Sequence, residues 1–407
     1  MKTGYKKTMY ACFAGYIVQA IVNNFLPLLF VTFAGAYSIP LSKITFLITI
    51  NFMIQLCIDL ASTVLIDKIG YRTSAILSHV FAALGLVMLT VLPDLLPDPY
   101  IGMIAAVAVY AVGGGLLEVV ISPIIEACPT DNKERTMSLL HSFYCWGHVG
   151  VVLISTAFFA LFGTENWKVM ALLWAIVPAV NLVVFATAPI YSLDGGDQPS
   201  ERVGGLFRNR LFWIFMLMMV CAGASEQAVG QWASAFAERG LGVSKAVGDL
   251  AGPMAFAFLM GLSRLIAGKY SERIDTTSYM KYSAVLCIIS YICIVFVPSP
   301  VVGLLGCAVC GFSVGMLWPG TYSMASAGLH GGTPMFALLA LAGDVGCAFG
   351  PTLAGLASSA AGDDLRRGIL AAIVFPVLML VGILLTGKHK KARAQYTDGE
   401  YKLKMSV

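Results

Sequence analysis

The chain has 407 residues, of which 58% are hydrophobic and 12% charged, with a formal net charge of +4. Soluble domains run at about 45–50% apolar and about 25% charged, so a soluble globular fold is excluded and an integral membrane protein is indicated. The positive excess sits in short segments between and after apolar runs. It reads as topology-setting charge and not as a nucleic-acid surface.

Apolar runs of roughly 18 residues or more are membrane-helix candidates. Taken in chain order, twelve spans are predicted: 9–34, 44–66, 73–92, 100–126, 137–162, 168–190, 209–237, 247–268, 278–297, 300–328, 333–360 and 367–386. The first follows MKTGYKKTMY without a small-residue cleavage site, so it reads as a retained helix and not as a signal peptide. An even count puts both ends on one side. Most of the 26 Lys and Arg fall on that side, which predicts cytoplasmic termini in the plasma membrane.

The polar, Gly-rich stretch SLDGGDQPSERVGGLFRNR breaks the chain near its middle. It divides the chain into 1–191, a linker 192–208, and 209–387, followed by a basic tail 388–407 that suits a juxtamembrane anchor on anionic lipid. The ten cysteines lie almost all in or beside apolar spans, where a free thiol acts as a small hydrophobe. Cys307 and Cys310 form a C-x-x-C with no second pair or nearby histidine, so no metal site is expected there.

The two halves look related. An offset of 205 residues pairs Asp67 with Glu272 and Lys68 with Arg273, and sets Asp59 opposite Arg264. Parallel six-span repeats are the arrangement of the major facilitator fold. The loop after the second span, through Thr63, Leu65, Asp67, Lys68, Gly70, Tyr71 and Arg72, resembles that superfamily's G-x-L-x-D-R-x-G-R-K signature, departing at Thr63 and Tyr71. An acid at this helix end suits the positive N-terminus of another helix; in the superfamily that partner is the eleventh span, which here starts Gly332-Thr333-Pro334. Asp67, Lys68, Arg72, Arg264, Glu272 and Arg273 are therefore read as gating residues, a conformational latch rather than a plain turn.

Five acids are counted within spans, Asp59, Glu118, Glu126, Glu226 and Asp344, with Arg264 as the basic residue. Ionised groups deep in a bilayer cost about 2.5–3.5 kcal/mol on insertion scales, so they mark internal cavities. Asp59 and Glu126 lie near span ends, within reach of water. Glu118 is deeper. Gly113, Gly114 and Gly115 before it admit a close helix or ligand, and Pro123 frees the carbonyl of residue 119. That makes Glu118 a candidate proton carrier, or alternatively a packing residue bonded to a neighbour. Asp344, in LAGDVG, is either a second coupling site or a partner of Arg264 or of a backbone amide.

The run GGGLLEVVISP is similar to the fourth-span pattern of the fucose permease family, sugar:proton symporters of the same superfamily, with Glu118 and Pro123 matching and Ser122 in place of Asn. Asn23-Asn24-Phe25-Leu26-Pro27 resembles that family's first-span run, with Asn23 where the family has a coupling acid. HSFYCWGHVG resembles its fifth-span pattern at His141, Ser142, Phe143 and Gly147, with His141 in place of Gln. His141 and His148 share a helix face about 10.5 Å apart along the axis, too far to chelate one metal. GASEQAVGQW resembles the seventh-span stretch through Glu226, Gly230 and Trp232, and Trp318-Pro319 is a family-like pair in the tenth.

The resemblance implies an all-α membrane protein of two six-helix bundles related by pseudo-twofold symmetry. It implies proton-coupled uptake of a sugar or similar small polar solute, with Glu118 coupling. The expected solute-binding set is Asn23, Asn24, Glu118, His141, Glu226, Gln227, Gln231, Trp232 and Trp318. Amides and aromatic faces are what a neutral sugar needs. A proton-coupled exporter and an uncoupled facilitator remain as alternatives. No nucleotide, nucleophile or metal motif supports an enzyme; no cofactor is expected, and the fold works as a monomer.

Overall fold

The computed structural model describes residues 4–130, 133–191, 203–270, 275–329 and 332–387. Twelve helices are long and apolar enough to cross a membrane. They are α1 (Tyr5–Ala36), α2 (Leu41–Ile69), α3 (Tyr71–Leu95), α4 (Pro99–Ala127), α5 (Lys133–Phe162), α6 (Thr164–Thr187), α7 (Arg210–Gly240), α8 (Lys245–Ala267), α9 (Thr276–Phe296), α10 (Pro300–Gly328), α11 (Gly332–Ala360) and α12 (Leu365–Gly387). Each corresponds to one predicted span. The linker's residues 192–202 and the tail 388–407 lie outside the described residues; Val203–Leu206 forms a short turn of helix before α7.

The helices pack as two bundles, α1–α6 and α7–α12. The main contacts between them run along α2 with α11 and α5 with α8. Large apolar side chains such as Leu161, Val180, Phe296 and Val301 are exposed on the outside, as a lipid-facing surface requires. The inside carries buried amides and hydroxyls, among them Gln19, Asn23, Asn24, Asn51, Gln55, Gln227 and Gln231.

Glycines set how closely the helices approach. A side chain at Gly113 would strike the backbone of Ala82 and Ser78 in α3, and one at Gly115 would strike Ile58 and Gln55 in α2. The triple glycine therefore admits helices and not a ligand, and holds Glu118 one turn below tight backbone contacts. Gly70 ends α2 with φ +81° and ψ 152°, a conformation essentially confined to glycine. That is a physical reason for the glycine of the α2–α3 loop.

Three inner helices are broken. α1 tightens to a 3₁₀ turn at Leu26–Leu29 around Pro27. α7 is interrupted at Gln231 and Trp232 and then widens to a π turn at Phe236–Gly240. α10 is interrupted at Gly315 and Met316. Discontinuities of this kind free backbone groups and are tolerated where they line a cavity or are buried in protein.

At the end of the bundles opposite the termini, a polar cluster joins the halves. Lys245 of α8 donates to the Leu28 carbonyl of α1 at 2.5 Å and pairs with Glu238 and Asp249, each at 3.1 Å. Asp249 also accepts from Ser234 of α7 at 2.5 Å and Thr156 of α5 at 3.3 Å. Thr49 of α2 meets Thr352 of α11 at 2.6 Å. Asp249 is fully buried inside α8, so the count of five intramembrane acids made from sequence was short by this one. Removing one member of a buried pair leaves the other uncompensated, at a cost of about 3–5 kcal/mol. Asp249→Ala is expected to lower the melting temperature of the detergent-purified protein, and Lys245→Met with Asp249→Leu to recover most of the loss. A melting curve for each variant checks both.

Candidate functional site

Three helices carry their polar residues one turn apart on a single face, as the i, i+4 geometry dictates. On α1 these are Gln19 and Asn23, on α2 Asn51, Gln55 and Asp59, and on α4 Tyr110 and, two turns on, Glu118, with Gly114 between them. The three columns stand side by side. Asn23 Oδ1 accepts from Gln55 Nε2 at 2.8 Å and Asn51 Nδ2 at 3.2 Å. Gln19 Nε2 donates to Glu118 Oε2 at 2.8 Å.

Pro27 has no N–H to give to the carbonyl four residues earlier, which is that of Asn23. Gln231 of the other bundle takes the freed acceptor, its Nε2 lying 3.1 Å from Asn23 O. The same amide donates to Gln227 Oε1 at 3.0 Å, Gln227 donates to Glu226 at 3.2 Å, and Arg264 reaches Glu226 at 3.5 Å. Arg264 also donates to the Gly315 carbonyl, at the break in α10, at 3.1 Å, and to Cys145 Sγ of α5 at 3.4 Å. One polar chain thus crosses from α2 through α1 and α7 to α8 and back to α5.

Below the amides lie the acids. Asp59 of α2, Glu118 of α4 and Asp344 of α11 each offer a carboxylate oxygen within 4.8 Å of the other two. Neither oxygen of Asp59 has a hydrogen-bond donor among the described residues. Two carboxylates sharing a site cannot both ionise freely. Three that close require protons or a cation among them, and these are the residues that could hold either. Tyr16 (bonded to Ser122 at 3.1 Å), Tyr322 and Cys347 lie near enough to feel the cluster's charge.

The sequence-derived residues divide clearly. Asn23, Glu118, Glu226, Gln227 and Gln231 belong to the polar chain or the acid cluster. Asn24 donates to the Ala20 carbonyl at 3.0 Å and to the Tyr144 hydroxyl at 3.4 Å. His141 is exposed and stands edge-on to Tyr16, with ring centroids 5.4 Å apart; His148 is buried in α5. The Trp232 ring is fully buried, its indole N–H given to the Pro351 carbonyl at 2.9 Å, so it ties α7 to α11. Trp318 packs on Gly343, next to Asp344.

Arg264 does not meet Asp344, one of the partners weighed for it, but Glu226. Asp59, read as an end-of-span acid, sits in the cluster. Arg72 donates to the carbonyls of Phe185 and Ala186 at 3.1 and 2.9 Å, capping the negative end of α6 within its own bundle. Lys68 is exposed. Glu272, Arg273 and the side chains of Asp67 and Thr333 lie outside the described residues. All ten cysteines are free thiols, Cys307 and Cys310 both buried.

Sequence reasoning set Asp59 aside as an end-of-span acid and missed Asn51, Gln55 and Gln19. The available signal was the i, i+4 spacing of polar residues on α2, from Asn51 through Gln55 to Asp59.

Twelve spans in two bundles, broken inner helices and a polar seam between the halves are the architecture of a membrane transporter. The sequence profile of the Major Facilitator Superfamily matches residues 11–351, and the chain belongs to that superfamily. No curated protein matches by sequence. Among solved structures, a bacterial homologue of the human lysosomal transporter Spinster, in an inward-facing, unoccupied state, aligns with a TM-score of 0.75 at 16% identity, covering 95% of this chain and 98% of that one. The E. coli fucose:proton symporter FucP aligns with a TM-score of 0.64 at 14% identity, over 94% and 99% of the two chains. The nucleoside transporter NupG aligns with a TM-score of 0.74 at 13% identity, over 94% and 99%. At these identities the likenesses concern the fold.

The Glu226–Arg264 pair gives a direct test of the polar chain. Arg264→Met leaves Glu226 uncompensated and is expected to destabilise the protein by about 3–5 kcal/mol. Adding Glu226→Gln should restore much of that. A double-mutant cycle on melting temperatures measures the coupling; additive losses would show that the two side chains do not act as a pair.

Proposed function

We propose that this transporter carries out proton-coupled uptake of a sugar or similar small, neutral, polar solute across the plasma membrane, with both termini cytoplasmic and the chain acting as a monomer. The observation that carries the reading is the meeting of Asp59 and Glu118 from one bundle with Asp344 from the other. Like charges at 4.8 Å repel by about 3 kcal/mol per ionised pair at an effective dielectric constant of 20, and by less where water reaches. Ionised, the cluster pushes α11 away from α2 and α4; protonated, it lets them close. Proton occupancy therefore biases the rocking of residues 1–191 against 209–387 about the linker 192–208.

The coupling acid that the related sugar symporters carry in the first span is Asn23 here. Asp59 and Asp344 supply carboxyl groups beside Glu118 instead, which removes the main argument for an uncoupled facilitator. Glu118, exposed to the outer side, takes a proton, and solute binding among Asn23, Asn24, Gln227 and Gln231 follows. His141, Glu226, Trp232 and Trp318 shape that region, and Asp344 is the second coupling group. Release of both inward resets the carrier. Asp67, Lys68, Arg72, Arg264, Glu272 and Arg273 tune the exchange between states.

The experiment is uptake of labelled sugars and polyols by proteoliposomes under an imposed pH gradient. Uptake is expected to rise as the outer side is acidified and to be unchanged when choline replaces sodium. Glu118→Gln should abolish accumulation against a gradient while leaving solute exchange. Accumulation that persists in Glu118→Gln, or that follows sodium, would sink the proton assignment. Proton-driven accumulation of solute inside inside-out vesicles would reverse the direction.

A further inference from the structure

Resting on the neutral-solute reading above, one part of the interior carries the argument to the solute's functional groups. A small cavity of about 10 Å³, room for one water-sized group, is lined by Asn23 and Pro27 of α1, Asn51 and Ile48 of α2, Tyr110 of α4 and Gln231 of α7, with Val22, Leu26 and Phe30 on its apolar side. No charged side chain lines it.

Two residues lining it each carry a buried polar atom without a hydrogen-bond partner among the described residues. Tyr110 is 2% exposed and its hydroxyl makes no hydrogen bond; Asn51 is 6% exposed and its Oδ1 makes none. A buried polar atom left unpaired costs about 1–3 kcal/mol, and native interiors rarely tolerate one without a partner arriving. The two atoms are complementary. Tyr110 can donate or accept, whereas Asn51 Oδ1 accepts only, because its amide nitrogen is committed to Asn23 Oδ1. A single hydroxyl has the chemistry that both call for, giving its proton to Asn51 and receiving one from Tyr110. An ammonium or a carboxylate would find no countercharge here.

We propose that Asn51 and Tyr110 form the subsite that recognises one hydroxyl group of a neutral solute, with Leu26, Ile48 and Phe30 against its C–H face. The subsite adjoins the Asn23–Gln231 contact between the bundles and sits two turns of α4 from Glu118. Neither residue was expected from the sequence to touch solute. Asn51 and Tyr110 are specificity-determining residues in this scheme, because a site that bonds a hydroxyl rejects the analogue lacking it more strongly than an apolar pocket rejects an extra group.

The test uses purified protein, a panel of hexoses, pentoses and sugar alcohols, and the monodeoxy analogues of whichever compound stabilises the wild type. Tyr110→Phe removes only the hydroxyl. It is expected to leave the melting temperature of the empty protein unchanged or raised, and to weaken the panel hit by about tenfold. One monodeoxy analogue should bind the wild type about tenfold more weakly than its parent and lose nothing further in Tyr110→Phe. Asn51→Leu should weaken the same hit and lose nothing further with the same analogue, but with a lowered melting temperature, because Asn23 Oδ1 loses a donor; either variant's affinity pattern suffices if the other does not purify. A fall in melting temperature with solute affinity unchanged would mean that the two atoms hold a structural water, and would overturn the subsite while leaving the solute reading intact. A panel without a wild-type hit would sink the neutral-solute reading first, and the subsite with it.

Discussion

Three carboxyl groups contributed by two rigid bodies cannot be brought together in a low-dielectric interior without a cation or protons among them. Asp59 and Glu118 stand on α2 and α4 of one bundle, and Asp344 approaches on α11 of the other. Whatever neutralises them also decides whether α2 and α11, the main line of contact between the halves, can lie close. On the proposed reading, charge state and bundle geometry are one variable. The pseudosymmetric contact of α5 with α8 is built differently: Arg264 there has Glu226 and the Gly315 carbonyl as partners. The first gathers three carboxyl groups from both halves; at the second, an arginine compensated within its own bundle reaches across to Cys145 Sγ.

Around this constraint the fold places its irregularities economically. Pro27 in α1 and the interruption of α7 at Gln231 and Trp232 fall at the same depth in opposite bundles, where Gln231 bonds the carbonyl that Pro27 frees. Regular helices close their own hydrogen bonds and have little to offer across an interface. A proline in one helix and an amide on another convert a backbone group into an inter-bundle contact. One residue beyond the same proline, Lys245 does likewise with the Leu28 carbonyl.

Much of the fold was legible in the sequence because hydropathy and span length are properties of single segments. The 205-residue offset of the loop signature showed the repeat in the same way, and Glu118 stood out because an acid after three glycines in an apolar run is a local anomaly. What stayed hidden depended on how helices are rotated and which faces meet. Asp59 looked like an end-of-span acid until α11 was seen to carry Asp344 against it. Arg264 had several acids to choose from, and packing chose Glu226. The Lys245–Asp249 pair was missed because the lysine lies at a span boundary and the aspartate was left out of the count. Trp232 looked like a ligand platform from composition, yet its N–H is spent on Pro351.

The freed carbonyl of Asn23 has a consequence for how tightly this carrier can hold its cargo. Gln231 occupies that acceptor with the site empty, and the subsite at Asn51 and Tyr110 lies beside it. A cargo hydroxyl that displaced Gln231 would be opposed by the same contact that holds the halves together. Its measured affinity then contains the energy of letting the bundles go. Strengthening the Asn23–Gln231 contact would make the empty carrier less leaky and its cargo weaker-binding at once; weakening it would do the reverse. Leak and affinity are tied through a single backbone oxygen, so selection on one moves the other.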